Sequence, residues 1–198
     1  MAYQKKTATS RKKTVPTPRI SNIVKPRGMS LQGWQVALRQ QAARKENFGI
    51  VEVDSEHSPG EYRVVSPATQ GHYQVCYYGE GHELNACSCM DFRTSRLGTC
   101  KHLEAVKSWI SEKKGRKIHQ PDRALTTLYM DYSGEPCVKV RYGREDTKKL
   151  KEIFDPLVID GRFNHMTELR LPDAIRDAFQ QSPYFRCRQD VLEYVDHL

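Results

Sequence analysis

The stretch Cys87-Ser88-Cys89-Met90-Asp91-Phe92-Arg93-Thr94-Ser95-Arg96-Leu97-Gly98-Thr99-Cys100-Lys101-His102 decides how this chain is read. Two cysteines one residue apart are followed, ten residues later, by Cys100-Lys101-His102. Three soft thiolates and one imidazole make a complete tetrahedral set for zinc, with Zn–S bonds of about 2.3 Å and a Zn–N bond of about 2.0 Å. On a strand, residues two apart point to the same face, so the spacing predicts that Cys87 and Cys89 present both sulfurs to one side. The ten intervening residues, Gly98 among them, let the chain return to that point. Cys100 then stands just before a helix and His102 in its first turn. Four protein ligands leave no place for an activated water, so the expected zinc is structural.

Outward from the cluster, period-2 alternation predicts strands at Phe48–Asp54, Tyr62–Val65, His72–Tyr78 and Leu84–Cys89. Ser30 is a helix N-cap, and Leu31, Trp34, Leu38 and Ala42 form one stripe of a core-facing helix running to about Glu46. A second helix spans about His102–Lys113, with Leu103, Val106 and Ile110 on one face. Past Pro121 the pattern changes to a hairpin, Leu125–Tyr132 with Cys137–Tyr142. Helices at Asp146–Phe154, Pro172–Gln181 and Arg188–His197 follow, with a loop through Gly161 and Asn164 after the first. The expected fold is therefore α+β: a small antiparallel sheet with a zinc-anchored helix, then a hairpin-plus-helices C-terminal part. Domains are read at 1–28 (a disordered basic arm), 29–118 and 119–198.

Charge is distributed as unevenly as the cysteines. The 198 residues carry a net charge of +8. Residues 1–45 hold 11 Lys or Arg and no acid, leaving 21 bases against 24 acids in the remainder. A cationic arm on a near-neutral body excludes a uniformly basic nucleic-acid binder. Arg11, Lys12 and Lys13 in the arm read either as a solubilising tail or as phosphate contacts that act by counterion release. No apolar run reaches the ~18–20 residues of a membrane helix and no secretory h-region is present. Pro16, Pro18 and Pro26 argue against an amphipathic targeting helix. The six cysteines thus belong to a reducing compartment, the cytoplasm (the nucleoid, if bacterial). Cys76, Cys137 and Cys187 read as core thiols; His72 and His82 are substitute ligands if one of the four is misassigned. His57, His119, His165 and His197 have no partner in the sequence.

The C-x-C, gap, C-x-H order of Cys87, Cys89, Cys100 and His102 resembles the SWIM zinc finger. Phe92 after the second Cys, Ala105 three residues after the His and the strands before Cys87 agree with that family, which implies a ββα zinc fold with these four residues as metal ligands. A looser similarity covers residues 29–198. Met29–Arg39, Leu97–Ala105, Leu128–Tyr132, Phe185–Cys187 and Asp190–Glu193 look like the region preceding the helicase core of bacterial Swi/Snf-type ATPases. No G-x-x-x-x-G-K-[ST] phosphate loop occurs, so the chain is expected not to be the ATPase itself. The resemblance implies an accessory zinc-stabilised module that engages DNA or a protein partner such as the ATPase core, with no membrane or small-molecule substrate. Its alternative is a stand-alone SWIM protein-interaction domain without nucleic-acid contact. In the first reading Arg93 and Arg96 add DNA contacts from an exposed loop, Met90–Thr99, and Lys101 adds one just beyond it. In the other reading of that loop, Phe92 packs into the core and the arginines screen the thiolates.

Overall fold

The computed structural model describes residues 19–53, 58–112 and 115–198. Arg11, Lys12 and Lys13 lie outside the described residues, as does His57.

Ser30 caps α1 (Leu31–Lys45), its hydroxyl accepting the Gly33 N–H at 3.0 Å. The expected core-facing stripe is not what α1 buries. Leu31 is 65% exposed, and Ala43 is the helix's one buried residue. α1 lies along the helix at Lys101–Glu112, with charge pinning both of its flanks. Arg39 chelates Asp91 through two N–H groups at 2.9 and 2.5 Å, and Glu46, the C-cap, pairs with Lys101 at 2.8 Å. The residues before α1 lie along it, the Ile20 N–H bonding to Gln41 and the Trp34 indole to the Ser21 carbonyl.

β1 (Gly49–Glu52), β2 (Glu61–Val65), β3 (His72–Cys76) and β4 (Ala86–Cys87) form an antiparallel sheet in that order. Tyr62, Val64 and Val75 alternate onto the face that α3 (Lys101–Glu112) covers with Leu103, Val106 and Ile110. That period-2 against period-3.6 match is what makes the first core. Two expectations are corrected beside it. The strand predicted at Leu84–Cys89 pairs only at Ala86–Cys87, because Cys89 leaves it to cap α2 (Met90–Ser95). The stretch expected as an exposed loop is thus in large part a helix.

The C-terminal half has its own core. β5 (Thr126–Asp131) pairs antiparallel with β6 (Cys137–Arg141), and α4 (Thr147–Phe154) packs Leu150 and Phe154 against them. Val158–Ile159 (β7) and Arg162–Phe163 (β8), expected as loop, make a tight hairpin around Asp160 and Gly161, both at positive φ. α5 (His165–Glu168) and α6 (Leu171–Gln181) lead to β9 (Phe185–Cys187), which runs parallel to β5 and was not foreseen. Three residues between two helices are too few to show alternation. α7 (Gln189–Val195) ends the fold. The halves meet through Arg186–Glu61 at 3.0 Å, Arg93–Glu193 at 3.0 Å and the Tyr129 hydroxyl on Glu83 at 3.0 Å.

Gly143 makes the turn into α4 possible. Its N–H donates to Thr126 Oγ1 at 2.9 Å, and a Cβ there would overlap the Ala124 carbonyl. Because the obstacle is backbone, Gly143→Ala is expected to cost about 2 kcal/mol or more, read as a lower urea midpoint at unchanged metal content.

Candidate metal centre

Cys87 comes from the end of β4, Cys89 from the N-cap of α2, Cys100 from the residue before α3 and His102 from its first turn. Their four ligand atoms lie within 4.8 Å of one another, and all four residues are buried. Cys87 Sγ is 3.7 Å from His102 Nδ1. A tetrahedral site with the usual bond lengths has ligand–ligand edges of roughly 3.5–3.8 Å, so the four residues fit a metal ion that prefers soft ligands and tetrahedral geometry. Among the described residues this is the one such convergence of Cys, His, Asp and Glu. The two sulfurs of the Cys-x-Cys pair meet here by a different route from the one expected. One belongs to a strand and the other turns back over the start of a helix.

Local structure explains each position. Cys89 Sγ accepts the Phe92 N–H at 3.4 Å, so the ligand doubles as the cap of α2. The Cys100 carbonyl accepts the Glu104 N–H at 3.0 Å and so opens α3. Both helices direct their N-terminal ends at the cluster, which favours the anionic charge that three thiolates carry around a divalent ion. His102 is oriented by rings. Tyr73 stacks on it at 3.8 Å and Phe48 meets it edge-on at 5.3 Å, while its buried Nε2 has no hydrogen-bond partner among the described residues. The carboxylate or carbonyl that commonly holds a metal-bound imidazole is replaced here by aromatic packing.

Proton sharing shows how closely the sulfurs crowd. Hydrogen bonds from Cys100 and Cys87, with the Phe92 N–H, hold the Cys89 thiol well below the ordinary range, as a thiolate. Its hydrogen bonds to Cys100 and Cys89, reinforced by burial, push the Cys87 thiol up. A metal ion replaces these shared protons with one cation.

The substitute ligands are elsewhere. His82 Nδ1 accepts the Leu84 N–H at 3.0 Å, and burial lowers its pKa; His72 is exposed on β3. Cys76, Cys137 and Cys187 are half-buried free thiols. His119 does have a partner, Glu52, at 2.7 Å. Of the residues nominated for DNA, Arg93 pairs with Glu193 and Lys101 with Glu46, while Arg96 is exposed in the left-handed conformation that closes α2. Phe92 is buried, so of the two readings of this segment the core-packing one holds for its aromatic. Sequence reasoning missed Asp91, Glu46, Tyr73 and Phe48. For Asp91 alone a signal existed: an acid in the first turn after a capping residue.

No helix among the described residues is long and apolar enough to cross a membrane. Compared with models of known families, with curated proteins and with solved structures, the chain matches none.

Cys87→Ser and Cys100→Ser are expected to abolish stoichiometric metal by elemental analysis and to unfold the first core with it. At about pH 8 thiols that are pushed up stay protonated. Metal binding there is expected to release protons from this crowded set of thiols, of which Cys87 and Cys100 are pushed up. Calorimetry in two buffers of different ionisation enthalpy counts them; a release of none would show three thiolates already present.

Proposed function

We propose that the chain is a zinc-stabilised, non-catalytic binding module of the SWIM type, accessory to a bacterial Swi/Snf-type ATPase and acting in the reducing cytoplasm. The observation that carries the reading is the buried Cys3His set at Cys87, Cys89, Cys100 and His102. Zinc suits it best of the common metals, because three thiolates and an imidazole at tetrahedral spacing are its usual structural ligands. Such a site contributes folding energy and no chemistry, ~10–16 kcal/mol of apparent binding in small zinc peptides. The lack of a phosphate loop agrees with a supporting part in ATP-driven work.

In this reading the module's contact with DNA is sequence-independent and lies in the basic segment around Arg11, Lys12 and Lys13, helped by the exposed Arg96. A second reading is a SWIM domain that binds protein alone. It is favoured by one specific observation: Arg93 and Lys101 already neutralise Glu193 and Glu46. A cleft of about 700 Å³ between the halves, whose lining mixes apolar side chains such as Tyr73 and Leu84 with Glu61, Arg63, Arg186 and Asp190, suits a polypeptide better than a phosphate backbone, since its acids balance its arginines.

The two readings separate in one titration. With labelled duplex DNA and the zinc-loaded chain, Arg11, Lys12 and Lys13 changed together to Gln are expected to weaken binding. The slope of log K against log salt falls by ~0.9 for each phosphate contact removed. Arg93→Gln and Lys101→Gln are expected to leave that slope unchanged. Binding that is absent, or indifferent to salt, selects the protein-only reading.

A further inference from the structure

We propose that α2 is a metal-dependent joint: metal bound through Cys89 holds this one short helix, and the helix in turn fixes where α1 and α7 sit on the body. The inference rests on the metal reading above and goes beyond it, from stabilising one core to setting the positions of two distant elements.

Three successive residues of α2 go to three places. Asp91 takes the Arg39 guanidinium of α1 in a two-point contact at 2.9 and 2.5 Å, with Arg39 itself steadied by the Gln35 carbonyl and side chain at 3.0 and 3.1 Å. Phe92 is buried in the first core and meets Tyr132 of the C-terminal half edge-on at 6.0 Å. Arg93 donates to Glu193 of α7 at 3.0 Å. The Tyr132 hydroxyl, on the same side, donates to Asp190 at 3.1 Å, which places the start of α7 against the residue that Phe92 touches.

α2 cannot hold this position alone. It has six residues, fewer than two turns, and isolated helices of that length do not persist in water. What starts it is Cys89: its sulfur caps the Phe92 N–H, and its carbonyl accepts the Arg93 N–H at 3.3 Å. Fixing that sulfur in a metal's coordination sphere therefore fixes the first turn that carries Asp91, Phe92 and Arg93. α1 fully buries only Ala43 and otherwise lies on α3, which itself begins at the ligands, while α7 packs Val191, Leu192, Tyr194 and Val195 on the C-terminal core, so these ties set where the exposed sides of both helices sit. The other tie of α1, Glu46 to Lys101, starts between the ligands Cys100 and His102. Loss of metal thus loosens both charged ties of α1. The residues before α1 are bonded along it, so they move with it.

Hydrogen–deuterium exchange of the full chain, read by mass spectrometry, tests the joint with variants placed on the partner elements, away from the ligands. Arg39→Gln is expected to raise exchange across Leu31–Lys45 about tenfold, with α7 unchanged. Glu193→Gln is expected to raise exchange across Gln189–Val195 by about threefold, a smaller effect because that pair is more exposed, with α1 unchanged. Both variants keep one metal per chain. Chelation of wild type is expected to raise exchange in α1 and α7 together while β5, β6 and α4 keep their protection. The joint is overturned if chelation leaves α1 or α7 protected, if it loosens β5 and β6 as much as α1, or if neither single variant moves its own helix. A wild-type protein purified without metal would end the zinc reading, and the two variants would still read the ties of α2.

Discussion

Four groups that need a cation occupy one small volume, and much of the N-terminal half is arranged around that fact. Three thiols and an imidazole within 4.8 Å crowd one another, and their burial keeps solvent from relieving that crowding. The elements they stand on have little other reason to meet. β4 has two paired residues, α2 has six residues, and α3 begins at the ligands. Their mutual placement is what brings Leu103, Val106 and Ile110 over Tyr62, Val64 and Val75. The apolar core is therefore downstream of the cluster in the order of cause, although it encloses more surface.

Apart from α7, which Arg93 ties to α2, the C-terminal half has no such dependence. Its apolar core is larger, with Leu128, Val138, Leu150, Phe154, Leu171 and Val191 fully buried, and contains no metal-ligand cluster among the described residues. Between the halves, ion pairs and hydrogen bonds (Arg186 with Glu61, Arg93 with Glu193, Tyr129 with Glu83) surround apolar contacts of Tyr78 and Leu84 with Tyr129 and of Phe92 with Tyr132. A chain with one metal-organised half and one self-sufficient half presents two different stabilities to whatever binds it.

The α+β class, most strand and helix positions and the four-residue metal set were legible in the sequence, because each rests on a local rule: two-residue alternation, the Ser30 cap, ligand spacing. What escaped depends on pairings across distance. The stripe Leu31, Trp34, Leu38 and Ala42 has helical spacing, yet nothing local reveals that Arg39 and Glu46 hold α1 by charge. Arg93 and Lys101 look like free cations until Glu193 and Glu46 are brought to them from other parts of the chain. Asp160-Gly161 is a local hairpin signal that a loop assignment overlooked, and only the two-residue strands on each side hide it.

β5 lies at the centre of its sheet, with β6 on one side and β9 on the other. The first neighbour follows six residues after β5 ends, and the second arrives only at Phe185. During synthesis the buried side of β5 that awaits β9 is consequently an open strand edge for the whole time that residues 142–184 are being made. Its residues Thr126–Met130 are buried in the finished fold and none of them is charged, so no charge guards this edge while it waits. The parallel closure by Phe185–Cys187 is thus the slow, non-local step of the fold. Its β5 partners Thr126, Thr127 and Leu128 are where self-association would begin if that closure were delayed.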